Sequence, residues 1–498
     1  MPGHLEFDVR FHPDDNAGRR ETDAPMRMLL LGDFSGRGRR DGTEAPEPQW
    51  TPVAVDLDNF DTIMAGLRPS LELPATLDDH GPSQLHFNSL DDFHPDTIFD
   101  RLAPFAALDD TRNRLKDPAR FSQAVADMGR ATDTAAVHET DSDTLERLLG
   151  ASTRPPDRRS STQADQHGLG DFLTRIVAPY IVPDADPGQA LYLDAIHQAM
   201  ARQMRAILHA PGFQALEALW RSVWWFITSV ETGAELQLHL MDVTRRELTA
   251  DIHAAGDELT ASRLYRALTD ENDNTVGRPR WSLLMADFTF GGHEGDLDLL
   301  AALGAIGAEA GGPFIAQGDM TLLGSENLAQ LNDPRHWIPA DEASAQRWLR
   351  LRRARVARWI GLALPRVLLR LPYGTGGETV ERFPLQEITP DSPHDSFLWG
   401  SPAVFCGLAL AKGFQEQGWD MSPGDCLTLD ELPAYVHQVD NEKQLLPCAE
   451  QYLSERSGEA VLAGGLMPLM SYRDRNAARL LRFQSIADPP SPLAGPWR

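Results

Sequence analysis

The chain has few cysteines and a shortage of positive charge. Cys406, Cys426 and Cys448 are its three cysteines in 498 residues. This odd number at wide spacing indicates neither a disulfide framework nor a CxxC metal or redox site. Lysine and arginine total 46 against 73 aspartate and glutamate, which gives a formal charge of −27. We therefore expect no nucleic-acid partner, because nucleic acids bind to positive surfaces.

Long hydrophobic runs are also missing. A membrane-spanning helix needs roughly 18 or more uninterrupted apolar residues, and no window supplies them. The start of the chain, Met1 to Phe11, has neither the basic leader nor the apolar stretch of a signal peptide. The sequence therefore predicts a soluble, cytoplasmic protein without direct membrane insertion.

Motifs for catalysis or cofactor binding are absent as well. The 15 histidines form no HExxH motif and no zinc-type spacing with cysteine. The glycine-rich segment Gly374–Gly377 has no following Lys-Ser or Lys-Thr, and Gly32–Gly36 matches neither a phosphate loop nor a GxSxG elbow. We expect no metal, no cofactor and no nucleotide, and we predict that the protein is not an enzyme.

The N-terminal segment alternates apolar and polar residues, which is typical of a half-buried β-strand. The polar run 13–25 that follows predicts a flexible connector. A detached strand must pair either with a distant part of its own chain or with another molecule. The apolar positions of this predicted strand are Leu5, Phe7, Val9 and Phe11.

The rest of the chain mixes predicted strands and helices. Met26–Leu31 predicts a buried strand, and Asn59–Leu67 an amphipathic helix. The interval 191–226 predicts a long helix or a broken pair of helices. A strand, helix, strand order over 281–316 indicates a parallel crossover unit. The predicted fold class is therefore α/β, in the mixed α+β sense.

Two groups of motifs resemble the sheath proteins of bacterial type VI secretion systems. Asp58–Met64 (DNFDTIM) and Leu85–Asp96 (LHFNSLDDFHPD) are similar to the small sheath subunit, TssB. Trp281–Phe288, Gly361–Gly374, Leu398–Pro402 and Gly465–Ser485 are similar to the large subunit, TssC. The resemblance covers about 26–128 and 191–487. Family members usually keep the two subunits on separate chains, whereas this chain resembles a shortened fusion of both.

The resemblance and the composition predict five regions and a multidomain sheath-protein fold with exchanged terminal β-strands. The five regions are an N-terminal strand and tether (1–25), a TssB-like domain (26–130), a linker with a short helix (131–190), a TssC-like N-terminal domain (191–345) and a TssC-like C-terminal domain (346–498) ending in a β-hairpin.

The resemblance implies a structural protomer that polymerises around an inner tube and ejects it by contraction. Its implied partners are copies of itself in a helical homo-polymer or separate sheath subunits, the inner tube protein, the baseplate and an AAA+ unfoldase. The alternative is a non-contracting accessory or capping protein of the same machine.

Three further groups of residues are candidate contact sites. The predicted C-terminal hairpin would receive an exchanged strand, although the N-terminal strand could instead fold back on its own domain. A band of arginines would contact acidic surface on a neighbour, although solvated helix faces explain many such runs. The short linker helix would dock on a partner, which the family comparison suggests is the unfoldase. The hairpin positions are Leu466, Leu469, Leu480 and Phe483, and the helix presents Leu145, Leu148 and Leu149. The arginine band comprises Arg347, Arg350, Arg352, Arg353, Arg355, Arg358, Arg366 and Arg370, of which Arg350, Arg353 and Arg358 are the candidate contacts.

Overall fold

A computed structural model describes residues 24–40, 50–73, 84–128, 188–269, 280–338, 341–439 and 442–497. A further helical segment covers 121–128. The strands are β1 (Met26–Gly32), β2 (Val53–Val55), β3 (Ser70–Glu72), β4 (Gln84–His86), β5 (Leu236–Asp242), β6 (Leu283–Phe290), β7 (Phe314–Gly318), β8 (Ile360–Leu364), β9 (Val367–Leu368), β10 (Trp399–Gly400), β11 (Thr428–Leu429), β12 (Val436–Val439), β13 (Glu442–Leu445), β14 (Met467–Ser471) and β15 (Ala478–Leu480). The helices are α1 (Phe60–Leu67), α2 (Pro95–Arg101), α3 (Ala103–Lys116), α4 (Gln189–Leu208), α5 (Pro211–Ser229), α6 (Arg245–Ala255), α7 (Arg263–Thr269), α8 (Glu294–Ala310), α9 (Leu328–Leu331), α10 (Glu342–Arg353), α11 (Pro402–Gln417) and α12 (Glu455–Ala463).

A nine-stranded sheet organises the described residues, in the order β11-β15-β14-β8-β7-β6-β1-β5-β2. The six strands from β14 to β5 in this order are mutually parallel, and β2, β11 and β15 pair antiparallel at the two ends. The crossover from β6 through α8 to β7 confirms the predicted strand, helix, strand unit. The mixed α/β fold class is therefore confirmed.

Strand β1 lies in the interior of this sheet, although it belongs to the TssB-like end of the sequence. Met28 lies opposite Leu238 of β5 on one side and opposite Leu283 of β6 on the other. All seven residues of β1 are buried, and apart from Arg27 the strand has no polar side chain, as is typical of a strand covered on both faces. Residues separated by more than 200 positions therefore form adjacent strands.

The two faces of the sheet support separate cores, because successive side chains of a strand point to opposite faces. Met28 and Leu30 of β1 belong to the first core, which also contains buried residues of α1, α4, α5 and α11. Leu29 and Leu31 belong to the second core, with residues of α8 and α10. The opposite faces of β1 thus join helices from both sequence regions.

Several local predictions agree with the structure. The helix predicted at 59–67 is α1, and the interval 191–226 is a broken pair, α4 and α5. Pro211 is the first residue of α5, where its missing N–H leaves no hydrogen bond unmade. The predicted C-terminal hairpin is formed by β14 and β15.

Candidate assembly surfaces

A loop of the TssC-like region packs on helices of the TssB-like region. Phe383 stacks on Phe99 and Phe105, with ring centroids 5.4 and 6.3 Å apart. Stacked aromatic pairs contribute beyond the apolar area that they bury. This aromatic cluster joins the two regions on the side of the first core.

Polar contacts reinforce the same junction. Both carboxylate oxygens of Asp96 accept backbone N–H groups, from Glu381 and Arg382, at 3.0 Å each. The Arg382 side chain also donates to Asp100 at 2.5 Å. Charged groups make stronger hydrogen bonds than neutral ones, so Asp96 fixes the position of the loop on α2.

A buried ion network lies beneath this loop. Arg370 donates to Glu217 of α5 and to Glu387, at 2.7 Å in each case. Arg221 pairs with Glu217 at 2.7 Å, and the backbone N–H of Tyr373 donates to Glu387 at 2.7 Å. The side chains of Arg370, Glu217 and Glu387 are 9%, 0% and 2% exposed. Each carboxylate therefore has a cation or an N–H group in place of water.

The network determines the protonation of its members. Burial alone would raise the pKa of Glu217, but the charges of Arg370 and Arg221 hold that pKa below its usual value. Burial opposes the charge of Arg370, and the nearby Glu217 and Glu387 still raise its pKa. Glu217 and Arg370 thus remain charged, and the pair contributes to stability only while both partners are present.

The predicted receiving hairpin lies inside the sheet. Leu466, Leu469 and Leu480 are fully buried, and Phe483 is 7% exposed. Strand β14 already pairs with β8, and β15 already pairs with β11. An incoming strand would have to displace one of these neighbours. The strand-exchange role of the hairpin stays a prediction, and within the described ranges the outermost strands of the nine-stranded sheet are β2 and β11.

The predicted arginine band does not form one surface. Arg350, Arg353 and Arg358 are exposed on α10 and the turn after it, and Arg353 lies 3.4 Å from Asp488. Arg352 is buried and donates to the carbonyl of Ile486 at 2.8 Å. Two other members of the band are paired internally, Arg366 with Glu450 and Arg370 as described above. The exposed contact surface is therefore smaller than the sequence band.

Two predicted sites lie outside the described residues. They are the N-terminal strand positions Leu5, Phe7, Val9 and Phe11, and the linker-helix positions Leu145, Leu148 and Leu149.

The sequence analysis selected Arg370 only as a member of the arginine band and did not select its buried partner Glu217. Glu217 lies in α5 among apolar residues, and a single carboxylate on a helix is usually solvated. The one sequence feature that indicates burial of Glu217 is its position beside an apolar stretch that contains Trp220. The partner, Arg370, is 153 positions away, and no spacing rule connects them.

The described residues contain no group of three or more histidine, cysteine or acidic side chains arranged to hold a metal ion. Among the helices described, none has the length and apolar character needed to cross a membrane.

Comparison with known proteins relates both parts of the chain to sheath proteins. The VipB family model, a tail sheath N-terminal domain, matches residues 191–487, and the type VI secretion system VipA model matches 7–149. The sheath protein TssC1 of Pseudomonas aeruginosa is 26% identical over 304 residues, which cover 59% of this chain. The chain spans about 60% of that relative's length. Since the VipB match alone covers more than half of the sequence, the chain belongs to the type VI secretion sheath family of structural proteins, with its VipA-like and VipB-like parts joined in one polypeptide.

Proposed function

We propose that this chain is a structural protomer of a contractile type VI secretion sheath that polymerises around an inner tube in the bacterial cytoplasm. The observation that carries the proposal is the position of β1 between β5 and β6. A strand from the TssB-like region completes the sheet of the TssC-like region. One polypeptide thus supplies the folded unit that the family otherwise builds from two chains.

Assembly into an open helix requires two different complementary surfaces on each protomer, because identical surfaces close into dimers. Two structural features support such surfaces. In the part of the chain that the structure describes, β2 and β11 are the outermost strands of the large sheet, and β12 with β13 forms a separate two-stranded sheet. An isolated two-stranded ribbon is marginally stable in water, so a third strand would stabilise it. We propose that the segment Leu5–Phe11 of a neighbour supplies such a strand.

The exposed arginines would provide the second kind of contact. Arg350, Arg353 and Arg358 lie on the face of the second core, in a protein with a formal charge of −27. Acidic surface of another copy would attract them and fix the register between copies. Contraction would then exchange one set of interfaces for another and would push the inner tube out, starting from a baseplate. An AAA+ unfoldase would recycle the contracted product.

Electron microscopy of the full chain, alone and with inner tube protein, tests this function. Long hollow cylinders are the expected result. Replacing Phe7 and Val9 by aspartate should abolish them, because the apolar side of the exchanged strand is lost. Replacing Glu6 and Asp8 by their amides is the matched control on the opposite side, and it should leave cylinders intact. Cylinders that form equally well from the Phe7→Asp, Val9→Asp variant would refute the strand exchange.

A non-contracting accessory is the second candidate. The observation that favours it is that the match spans about 60% of the length of TssC1, so part of that relative lies outside the match. An accessory would cap or seed the polymer of separate sheath subunits. Rings or monomers in the same micrographs, together with binding to the ends of sheaths made by separate subunits, would favour this role.

A further inference from the structure

Two oppositely charged surfaces lie far apart along the nine-stranded sheet. The acidic surface surrounds β2, which is the outermost strand on its side within the described ranges. Strand β2 pairs with β5, with Val55 opposite Leu238. The segments 53–61 and 230–240, which contain these two strands or adjoin them, carry five acidic residues and no lysine or arginine. The five acids are Asp56, Asp58, Asp61, Glu231 and Glu235.

Exposed apolar side chains belong to the same segments and to the helix beside them. Val53, Leu57 and Trp224 are 39%, 55% and 39% exposed, and they are three of the six large apolar side chains that the described part of the chain leaves exposed. Trp224 belongs to α5, and its ring lies 5.2 Å from the ring of Phe60 in α1. An apolar centre with a charged rim is typical of a protein-binding surface. We name these three apolar residues and the five acids the β2 surface.

The acids of the β2 surface are not neutralised within the chain. Among the described residues, none of the five forms an ion pair. Asp56 is partly engaged, because its Oδ1 accepts the backbone N–H groups of Asp58 and Asn59 at 3.0 and 2.9 Å. The other four acids are exposed. Their charges are therefore available to a partner.

The basic surface lies on α10 and the turn that leads into β8. Arg350, Arg355 and Arg358 are exposed there, and within the described ranges none of them forms an ion pair. Two half-buried apolar side chains lie next to these arginines in the sequence. Arginine and tryptophan are enriched at the energetic centres of protein interfaces. The α10 surface comprises Leu349, Arg350, Arg353, Arg355, Arg358 and Trp359.

Two further exposed arginines, Arg473 and Arg475, are already engaged. The guanidinium of Arg475 lies 4.0 Å from the ring centre of Tyr472 and 3.1 Å from Asp430. The guanidinium of Arg473 lies 4.5 Å from the ring centre of Tyr452. The α10 surface therefore has more unpaired positive charge to offer to another molecule.

The β2 surface and the α10 surface are too far apart to contact each other within one chain. Strands β8 and β2 are five positions apart in the sheet, which is roughly 24 Å at about 4.8 Å for each position. Both surfaces nevertheless reach the same edge of the sheet. Arg358 precedes β8, Glu235 precedes the parallel strand β5, and Asp56 follows the antiparallel strand β2. A contact between the two surfaces must therefore join two copies of the chain.

We propose that the β2 surface of one copy binds the α10 surface of the next copy. The inference rests on the proposed polymerisation and identifies the acidic surface that the exposed arginines require. Because the two surfaces are different, the contact is head to tail and leaves one surface of each kind free at the ends of a row of copies. Opposite charges favour this pairing over contacts between surfaces of like charge.

Reversing the charges of each surface tests the contact by sedimentation of polymer. The acid-reversed variant carries Asp58→Lys, Asp61→Lys and Glu235→Lys, and the arginine-reversed variant carries Arg350→Glu, Arg353→Glu and Arg358→Glu. Each variant alone should pellet much less polymer than the parent, because its two surfaces then have like charge. A mixture of the two variants should regain most of the lost polymer, because each reversed surface then meets its opposite. A chain with all six substitutions keeps the net charge of the parent and should also regain it.

A matched control separates this contact from an effect of net charge. The control variant carries Asp110→Lys, Asp257→Lys and Glu326→Lys, which change the net charge by the same amount at exposed positions elsewhere. Mixed with the arginine-reversed variant, it should not restore polymer. Equal restoration by the control and by the acid-reversed variant would overturn the proposal.

Sedimentation velocity separates the contact from the sheath function. At low salt, the mixture of acid-reversed and arginine-reversed variants should contain a species heavier than either variant alone, and high salt should remove it. Such a species without cylinders from the parent would support the contact and reject the sheath function. Cylinders that persist unchanged in both reversed variants would support the sheath function and overturn the contact. A mixture without a heavier species at low salt would also overturn the contact, whatever the parent forms.

Discussion

Phe383 of the VipB-like part stacks on Phe99 of the VipA-like part, with ring centroids 5.4 Å apart. The contact joins a loop and a helix that are more than 280 positions apart in the sequence. Together with the burial of β1 between β5 and β6, it makes the two parts one packed unit. The connecting residues 129–187 are then not required to hold the parts together.

Cutting the connector should therefore leave the two parts associated. We expect a chain with a protease site inserted near residue 155 to give two bands on a denaturing gel and a single peak in size-exclusion chromatography. Seven residues of β1 pair on one side with β5 and four of them on the other side with β6, which favours association even without covalent linkage. Two separately eluting fragments would show that the connector carries the association. The same cut in a Phe383→Asp variant measures the contribution of the aromatic cluster.

Removing Arg370 should be strongly destabilising. Arg370→Met leaves Glu217 and Glu387 buried without their shared cation, and such a loss costs about 3–5 kcal/mol of unfolding free energy. Arg350→Met is the control at an exposed position, where a change within about 0.5 kcal/mol is expected. Urea unfolding followed by circular dichroism measures both. Similar urea midpoints for the two variants would mean that the buried network contributes little.

Local features of this fold were predictable, because they depend on neighbouring residues. The apolar spacing of Phe60 and Met64 is sufficient to place α1, and the order of β6, α8 and β7 follows from alternating strand and helix patterns. The position of β1 between β5 and β6 was not predictable in this way. The apolar run Met28–Leu31 indicates that β1 is buried on both faces, but it does not determine which strands lie next to β1.

The candidate surfaces show the same limit. The hairpin of β14 and β15 was predictable from two apolar segments around a polar turn, but its pairing with β8 and with the two-residue strand β11 was not. Likewise, Arg350 and Arg370 are equivalent in a charge count, whereas one is exposed and the other is buried between two glutamates. These distinctions depend on contacts between distant parts of the chain.

Two glycine substitutions should have opposite effects on stability. A Cβ at Gly312 would lie 2.5 Å from the backbone carbon of Ser282 and 2.7 Å from the backbone nitrogen of Leu283, neither of which can move freely. Gly312→Ala should therefore cost about 1–3 kcal/mol. A Cβ at Gly66 in α1 meets no described atom within 4 Å, so Gly66→Ala should gain about 0.5–1 kcal/mol from helix propensity. Thermal unfolding measures both effects. A destabilised Gly66→Ala variant would contradict the expectation that a Cβ at this position has free space.

Reversing the charge of the exposed arginines should weaken assembly without unfolding the protomer. Arg350, Arg353 and Arg358 are exposed, so replacing all three by glutamate leaves the core intact and removes the attraction to acidic surface on another copy. Sedimentation should show less polymer, and polymer of the parent should decrease as salt screens the same contacts. The control replaces Arg120, Arg202 and Arg246 by glutamate, which changes the net charge by the same amount. These three arginines are also exposed, but they lie on three different helical segments. Because the total charge is matched, an equal loss of polymer in both variants would attribute the effect to net charge and would exclude a register-setting contact at α10.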